Sequence, residues 1–430
     1  MKSRALILIT MTLFAALAIT ASMDAQEQKI EKPQQYTFTD LGTLGGPTST
    51  ANGINNKGWV TGVSDLPGGT TFHGFLWQKG VMTDLGTLGG PNSAVFWPVK
   101  DNRGLIVGVS DTSNTDSLGE DFCGFGTHLI CLGFLWQKVA MTPLPTLGGN
   151  NGYATGVNNR GQVVGLTEST RDSSCIAPQV FDWEAVVWGP EEGEIHELPP
   201  FPGDSVAAAI AINDKGQVVG GSGPICGPVS TTLSLHAVLW QDGSVTDLGS
   251  FGGTMNNVGT AINNLGQVVG FSDLAGDTAE HAFLWQDGRI TDLGTLPGDF
   301  SSAAFGINNK GQVVGNSCNK TGTICRAFLW QDGVMTDLNT LIPAGSPLLI
   351  YGGDTNSGGE IVGQAFDQTT GKMSAFLLTP SNDEAASGSA TTAAQAKNQS
   401  PKVTLPESVR NLFQQRRGFG RFRPGPMRLQ

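Results

Sequence analysis

The sequence predicts an all-β chain, a seven-bladed β-propeller of four-stranded blades. Three observations carry this prediction. One unit is used seven times, marked by the glycines Gly58, Gly104, Gly161, Gly216, Gly266, Gly311 and Gly359, with spacings of 46, 57, 55, 50, 45 and 48 residues; periods of this length signal propellers or solenoids. Each unit holds two hairpin signatures, hence four strands. The chain also enters the repeat at its last strand and leaves it at the strand before, so the two ends can complete one blade and close a ring.

Within a unit, the first recognisable piece is Asn-Asn-x-Gly followed by Val-Val-Gly. It reads INNKGWVTG from Ile54, VNNRGQVVG from Val157, INDKGQVVG from Ile212, INNLGQVVG from Ile262 and INNKGQVVG from Ile307, with weaker copies at Asp101 and Asn356. Asn and Gly both tolerate left-handed backbone and Asn bonds to its own main chain, so this piece is a turn entering a short strand. The second piece is Phe-Leu-Trp, a strong strand former. Gln-Asp-Gly follows as a hairpin turn and Val-x-Thr-Asp-Leu as the return strand, as in HAFLWQDGRITDLGTLPG from His281. A glycine-rich TLGG loop leads to the next unit. Apolar residues occupy successive positions (AFLW, QVVG), as expected of strands buried on both faces between stacked blades. At the ends, YTFTDLGTLGG from Tyr36 supplies the return strand of the Phe-Leu-Trp hairpin and SAFLL from Ser374 its first strand, pairing Ala375–Leu378 with Thr37–Leu41. An open β-solenoid is the alternative, and a pair of smaller barrels a further one.

The joint pattern HAFLWQDG-x-x-TDLG plus GINNKGQVVG resembles the HAF-repeat family of bacterial proteins, assigned to the extracellular space and named for the His-Ala-Phe seen here at His281–Phe283. The resemblance runs from about Tyr36 to Pro380 and implies secretion and a β-repeat architecture. It implies no activity and no catalytic residue. The unit around Trp183–Pro202 departs from it, since TDLGTLGG has become HELPPFPG.

Residues 1–25 read as a signal peptide: Lys2 and Arg4, an apolar run from Ala5 to Ile19, then small residues. The repeat occupies 36–380, a low-complexity linker 381–400 and a basic tail 401–430. No later stretch is apolar for long enough to span a bilayer, so the expected location is extracellular or periplasmic. The six cysteines agree with an oxidising compartment. Cys123 and Cys131 form one close pair and Cys318 and Cys325 another; Cys175 and Cys226 remain to bridge neighbouring blades. All lie in the connection between the Val-Val-Gly and Phe-Leu-Trp strands, the variable loops where binding residues are expected.

The chain carries 37 acidic and 25 basic residues, a net charge of −12, and 60 glycines among its 430 residues. So acidic a body, only 14% charged, makes a poor nucleic-acid binder. The glycines have no period of three, which excludes collagen. No Cys-x2-Cys spacing marks zinc. Gly203–Val206 (GDSV) lacks the nucleophile-elbow spacing, and the glycines open no helix that would bind phosphate. No cofactor is expected. The recurrent Thr-Asp-Leu aspartates Asp40, Asp84, Asp247, Asp292 and Asp337 read as strand-end acceptors, or else as an axial carboxylate ring for calcium. Trp77, Trp136, Trp188, Trp240, Trp285 and Trp330 share one repeat position and read as inter-blade core, and the repeated histidines as structural. The off-pattern aromatics Trp59, Trp97, Phe122, Tyr153 and Trp183 are the candidates for a ligand-stacking platform. The tail, with Lys402, Arg410, Arg416, Arg417, Arg421, Arg423 and Arg428 against Glu407, suits anionic envelope polymers. The leading expectation is a secreted, non-catalytic binding module for a glycan or a cell-surface protein. A structural matrix protein and a secreted polysaccharide hydrolase or lyase are the alternatives.

Overall fold

The computed structural model describes residues 34–98, 100–172, 181–224 and 236–381. The segments expected to be signal peptide, linker and basic tail, and the cysteines Cys175 and Cys226, lie outside the described residues.

Seven four-stranded antiparallel sheets account for all the named strands. Blade 1 comprises Ser49–Ile54, Val60–Asp65, Phe72–Gln78 and Val81–Asp84, in that order from the axis outward. Blades 2 to 6 repeat the order over 89–143, 148–198, 206–247, 252–294 and 301–337. Blade 7 takes its three inner strands from Leu348–Pro380 and its outer strand, Tyr36–Gly42, from the other end of the chain. Thr37 pairs with Thr379, Thr39 with Leu377 and Gly42 with Ala375. This is the closed propeller expected from the chain ends.

The core lies between blades rather than within them, which is why the strands are apolar on both faces. One such layer joins Phe75, Ala51 and Val60 of blade 1 to Val362, Ala375 and Leu377 of blade 7; another joins Val219 and Leu239 of blade 4 to Val268 and Phe283 of blade 5. Trp136, Trp188 and Trp240 are buried in these layers, and Trp77, Trp285 and Trp330 pack against them half-buried.

The turns follow the sequence chemistry. In the Gln-Asp-Gly hairpins, Asp242, Asp287 and Asp332 have φ of 50–51° and the following glycines 75–83°, the double left-handed step of a type I′ turn. In the Asn-Asn-x-Gly turns, the first asparagine does two jobs. The Oδ1 of Asn263 accepts the N–H groups of Leu265 and Gln267 at 3.0 Å, closing its own turn. Its Nδ2 donates to the Asn308 carbonyl of the next blade at 3.0 Å. The second asparagine accepts from the blade behind: Asn309 Oδ1 takes the Asn264 N–H at 3.0 Å. Around the axis, Asn158, Asn213, Asn263, Asn308 and Asn356 repeat the first bond, and Asn356 returns to the carbonyl of Asn55. Blade 2 has Asp101 in place of the asparagine, and its carboxylate has no N–H to pass on.

Candidate functional site

Strand alternation puts the seven Asn-Asn-x-Gly turns and the Gln-Asp-Gly hairpins on one face, the turn face. The long cysteine-bearing loops and the TLGG loops lie on the other, the loop face.

On the turn face the axis opens into a polar mouth ringed by the asparagines and floored by Ile212, Ile262, Ile307 and Thr355. Two residues break the repeat here. A two-residue insertion between the inner strand of blade 2, Gly89–Ala94, and its turn precedes Lys100, which stands where blades 1, 3, 4, 5 and 6 have isoleucine or valine and blade 7 has Thr355. Asp354 of blade 7 stands where blades 1, 3, 4, 5 and 6 have glycine or alanine. The Lys100 ammonium pairs with the fully buried Asp354 carboxylate and donates to the Thr355 carbonyl at 3.0 Å. The second Asp354 oxygen accepts the Ile54 N–H at 2.9 Å. Burial pushes the Asp354 carboxyl up, and Lys100 and the N–H donors act against that.

Trp59 belongs to the same face. It is half-buried beside Gly104 of the next blade, with Lys57 Nζ 5.1 Å from its ring centroid, within cation–π range. The position after each turn glycine rests in this way on the next blade's turn, as Gln217 does on Gly266 and Gln312 on Gly359. The tryptophan therefore substitutes for a repeated glutamine contact.

The other aromatic candidates are elsewhere. Trp97, Phe122, Tyr153 and Trp183 are buried at 5–9% exposure, in the axial cluster beneath the loop face with Phe72, Phe125, Phe305 and Tyr351. They plug the axis and offer no exposed platform. The Cys123–Cys131 disulfide pins the long blade-2 loop onto this cluster, and Cys318–Cys325 closes the corresponding loop of blade 6.

The Thr-Asp-Leu aspartates sit on the outermost strands, away from the axis, so they form no axial ring. Each accepts a main-chain N–H two residues on: Gly42 to Asp40 at 2.9 Å, Gly249 to Asp247 at 2.8 Å and Asn339 to Asp337 at 2.9 Å, with Gly86 and Gly294 doing the same for Asp84 and Asp292. His73 and His281 bond Asp84 and Asp292 through Nδ1 at 2.8 and 3.0 Å. Burial raises both carboxyls, but the imidazole and N–H partners outweigh it and hold them below the ordinary value. In blade 6 Arg326 takes the histidine's place and bridges Asp337 and Asp299. Among the described residues no three His, Cys, Asp or Glu side chains converge as a metal site requires.

A second carboxylate set went unnoticed in the sequence. Asp65, Asp111, Glu168 and Asp273 lie in the second strands of four blades and are buried. They hold the TLGG loops: Asp65 accepts the Thr48 N–H and hydroxyl, and Glu168 the N–H groups of Asn150 and Asn151. The signal was the residue following Val-Ser, Leu-Thr or Phe-Ser in the Val-Val-Gly strand, acidic in four of seven units. Burial pushes Asp111 and Asp273 up to about 6. Burial and the neighbouring Glu120 carboxyl raise Glu168 further above its normal range. In this state the folded ring holds protons that the unfolded chain has released, so stability falls as pH rises from the ordinary carboxylate range through the raised values. Thermal unfolding should therefore show a Tm that declines from pH 5 to pH 8. Glu168→Gln should raise Tm at pH 8 and flatten the slope; a lower Tm with the slope unchanged would contradict the assignment.

The chain matches no family model and no curated protein. Among solved structures it is similar to the acylaminoacyl peptidase of Pyrococcus horikoshii, with 12% identity over 76% of this chain and 50% of that one and a TM-score of 0.44. It is also similar to a gluconolactonase from Xanthomonas campestris (11% identity, 81% and 95% of the two chains, TM-score 0.35) and to Trypanosoma rangeli sialidase in complex with sialic acid (11%, 79% and 60%, TM-score 0.33). The chain spans about half the length of the peptidase. These matches are at low identity and assign this chain no activity.

Proposed function

We propose that the chain is an exported, non-catalytic binding module of the HAF-repeat kind, and that its ligand site is the asparagine-ringed mouth on the turn face. The observation that carries this reading is the convergence of polar turns from seven blades on one opening; the half-buried Trp59 lies on the same face, between blades 1 and 2. Amides both donate and accept, which suits the hydroxyls of a glycan, and an aromatic face suits the apolar side of a sugar ring. The amide nitrogens of Asn56 and Asn309, at the exposed rim, are not used within the described ring and are available to a ligand.

A glycan and cell-wall polymer array tests this with the full exported chain. Saturable binding to one glycan class is expected, weakened about tenfold in Trp59→Ala, an amount in keeping with the loss of one aromatic anchor. It should persist in a calcium chelator, because the Thr-Asp-Leu carboxylates are already engaged far from the mouth. A blank array would sink the reading and favour a matrix role or a protein ligand.

The Lys100–Asp354 pair favours a second reading, a polysaccharide hydrolase or lyase. It is the ionic pair that breaks the repeat and reaches the mouth. Product release from a bound polymer, lost in Lys100→Met, would move the assignment to an enzyme.

A further inference from the structure

The charge on the turn face is unevenly distributed. In blades 1 and 2 the exposed charged side chains on this face are Lys57, Lys79, Arg103 and Lys138. The acid of the blade-2 turn, Asp101, has a fully buried side chain that accepts the N–H groups of Arg103, Gly104 and Leu105 and is paired with Arg103 Nε at 3.0 Å. Lys79 and Lys138 head the hairpins that run alongside the turns of Lys57 and Arg103, at positions where blades 4, 5 and 6 carry Asp242, Asp287 and Asp332. Blade 3 continues the cationic side with Arg160 on its turn, but its hairpin carries Glu191 and Glu192. Glu360, lying against Gly58 from blade 7, marks the other boundary. The result is a cationic sector two blades wide on a chain of net charge −12, with Trp59 between its two turns.

A second observation falls on the same sector. Val139 stands in the blade-2 hairpin where four others have glycine. It has φ of 63° and is 84% exposed. A β-branched residue in left-handed backbone is strained, and an exposed valine gains nothing from packing. Such outliers cluster at ligand contacts.

We infer that the turn face of blades 1 and 2 binds a short carboxylate-bearing polysaccharide segment, with Lys57, Lys79, Arg103 and Lys138 on the carboxylates and Trp59 and Val139 against the sugar faces. This deepens the binding reading above and rests on it. The turn cations of blades 3, 4 and 6, Arg160, Lys215 and Lys310, each share their blade's turn or hairpin with acids (Glu191 and Glu192, Asp214 and Asp242, Asp332), whereas the hairpins of blades 1 and 2 carry lysine, so the sector fits a few anionic sugars better than a long polyanion. The Trp59 ring with the Lys57 ammonium over it suits a sugar face beside a carboxylate.

Calorimetric titration of the full exported chain tests the inference, using a short oligogalacturonate, its methyl ester and single-stranded DNA of equal charge, at low and high salt. The acidic oligosaccharide should bind, weakening with salt as exposed charges are screened, and its ester should bind much less. Among the described residues Lys79 and Lys138 make no ion pair, so the double variant K79E/K138E should fold with unchanged Tm. It should weaken oligogalacturonate binding about tenfold at low salt. Val139→Gly should raise Tm yet weaken binding, a combination that a purely structural role does not give. Equal binding of the ester, equal or tighter binding of DNA, or parental affinity in both variants would overturn the inference. Binding of neutral glycans on the array with none to oligogalacturonate would overturn it while leaving the binding reading standing; a wholly blank array would remove both.

Discussion

Gly315→Ala should destabilise the ring far more than adding a methyl group to a hairpin glycine. Gly315 is the glycine of Val-Val-Gly in blade 6. A Cβ built on it would fall 2.0 Å from the carbonyl oxygen of Ala303 on the inner strand and 2.8 Å from the Phe328 ring on the third strand. The same clash recurs in every blade, at 1.9–2.2 Å from an inner-strand carbonyl at Gly62, Gly108, Gly165, Gly220, Gly270 and Gly363. The inner strand is bulged one or two residues further on, between Ala304 and Gly306 in blade 6. A main-chain carbonyl cannot turn aside as a flexible side chain can, so the strands must separate or the phenylalanine must leave its layer. Overpacking a well-filled core costs about 1–3 kcal/mol even where side chains can yield, and here the expected loss is ~3 kcal/mol or more. Gly333→Ala is the control: its φ is +83° but nothing lies within 4 Å of the added carbon, so it should lose only about 1 kcal/mol. Denaturant unfolding of both variants checks the contrast. Equal midpoints would mean that the close approach is not maintained in solution.

These glycines show where sequence reading succeeds and where it stops. Gly161, Gly216 and their equivalents in Asn-Asn-x-Gly were legible because turn chemistry is local: an asparagine and a glycine at fixed spacing specify a left-handed residue. The Val-Val-Gly glycine is equally regular, but its cause is a carbonyl on a neighbouring strand, which spacing does not reveal. The second glycine of TLGG is similar. A Cβ on Gly46 would lie 2.5 Å from Asp65 and Leu66, so the loop and the buried acid are one device seen as two motifs. The aromatics failed for the opposite reason. Trp97 and Tyr153 stand outside the repeat, and off-pattern residues suggest function. A seven-bladed ring, however, leaves an axial hole that small repeated residues such as Ala208 and Ala303 do not fill, and the irregular aromatics fill it. Trp59 escaped that fate because its position lies past the turn, on the rim. The cationic sector was invisible because its members occur in two different motifs, and only the blade geometry places Lys79 beside Lys57.

Removing the outer strand of blade 7, residues 36–42, should abolish the folded monomer. That strand covers the Met373–Pro380 edge along its length. Without it the edge groups are unpaired, and such an edge templates association with other chains. Tyr36 and Leu41 are buried, and burial alone pushes the Tyr36 hydroxyl up to about 12. The Tyr36 N–H donates to the Leu341 carbonyl at 2.9 Å, tying the strand to the connection between blades 6 and 7. Phe38 packs on Phe376 with ring centroids 6.2 Å apart. Each large apolar side chain contributes about 1.5–3 kcal/mol when fully buried and each strand hydrogen bond about 1 kcal/mol net. Their sum reaches the typical total stability of a domain, about 5–15 kcal/mol. The loss is not confined to one blade, because the asparagine bonds run from Asn308 through Asn356 to Asn55 and need blade 7 in place. Sedimentation should show aggregates, and the cooperative thermal transition should vanish. A peptide spanning residues 34–44, added in excess, should restore a monomeric ring by re-forming the pairing in trans, since it binds the folded form alone and stabilises by mass action. A truncated chain that remains monomeric and melts at the parental temperature would show that the other blades hold the ring without its splice.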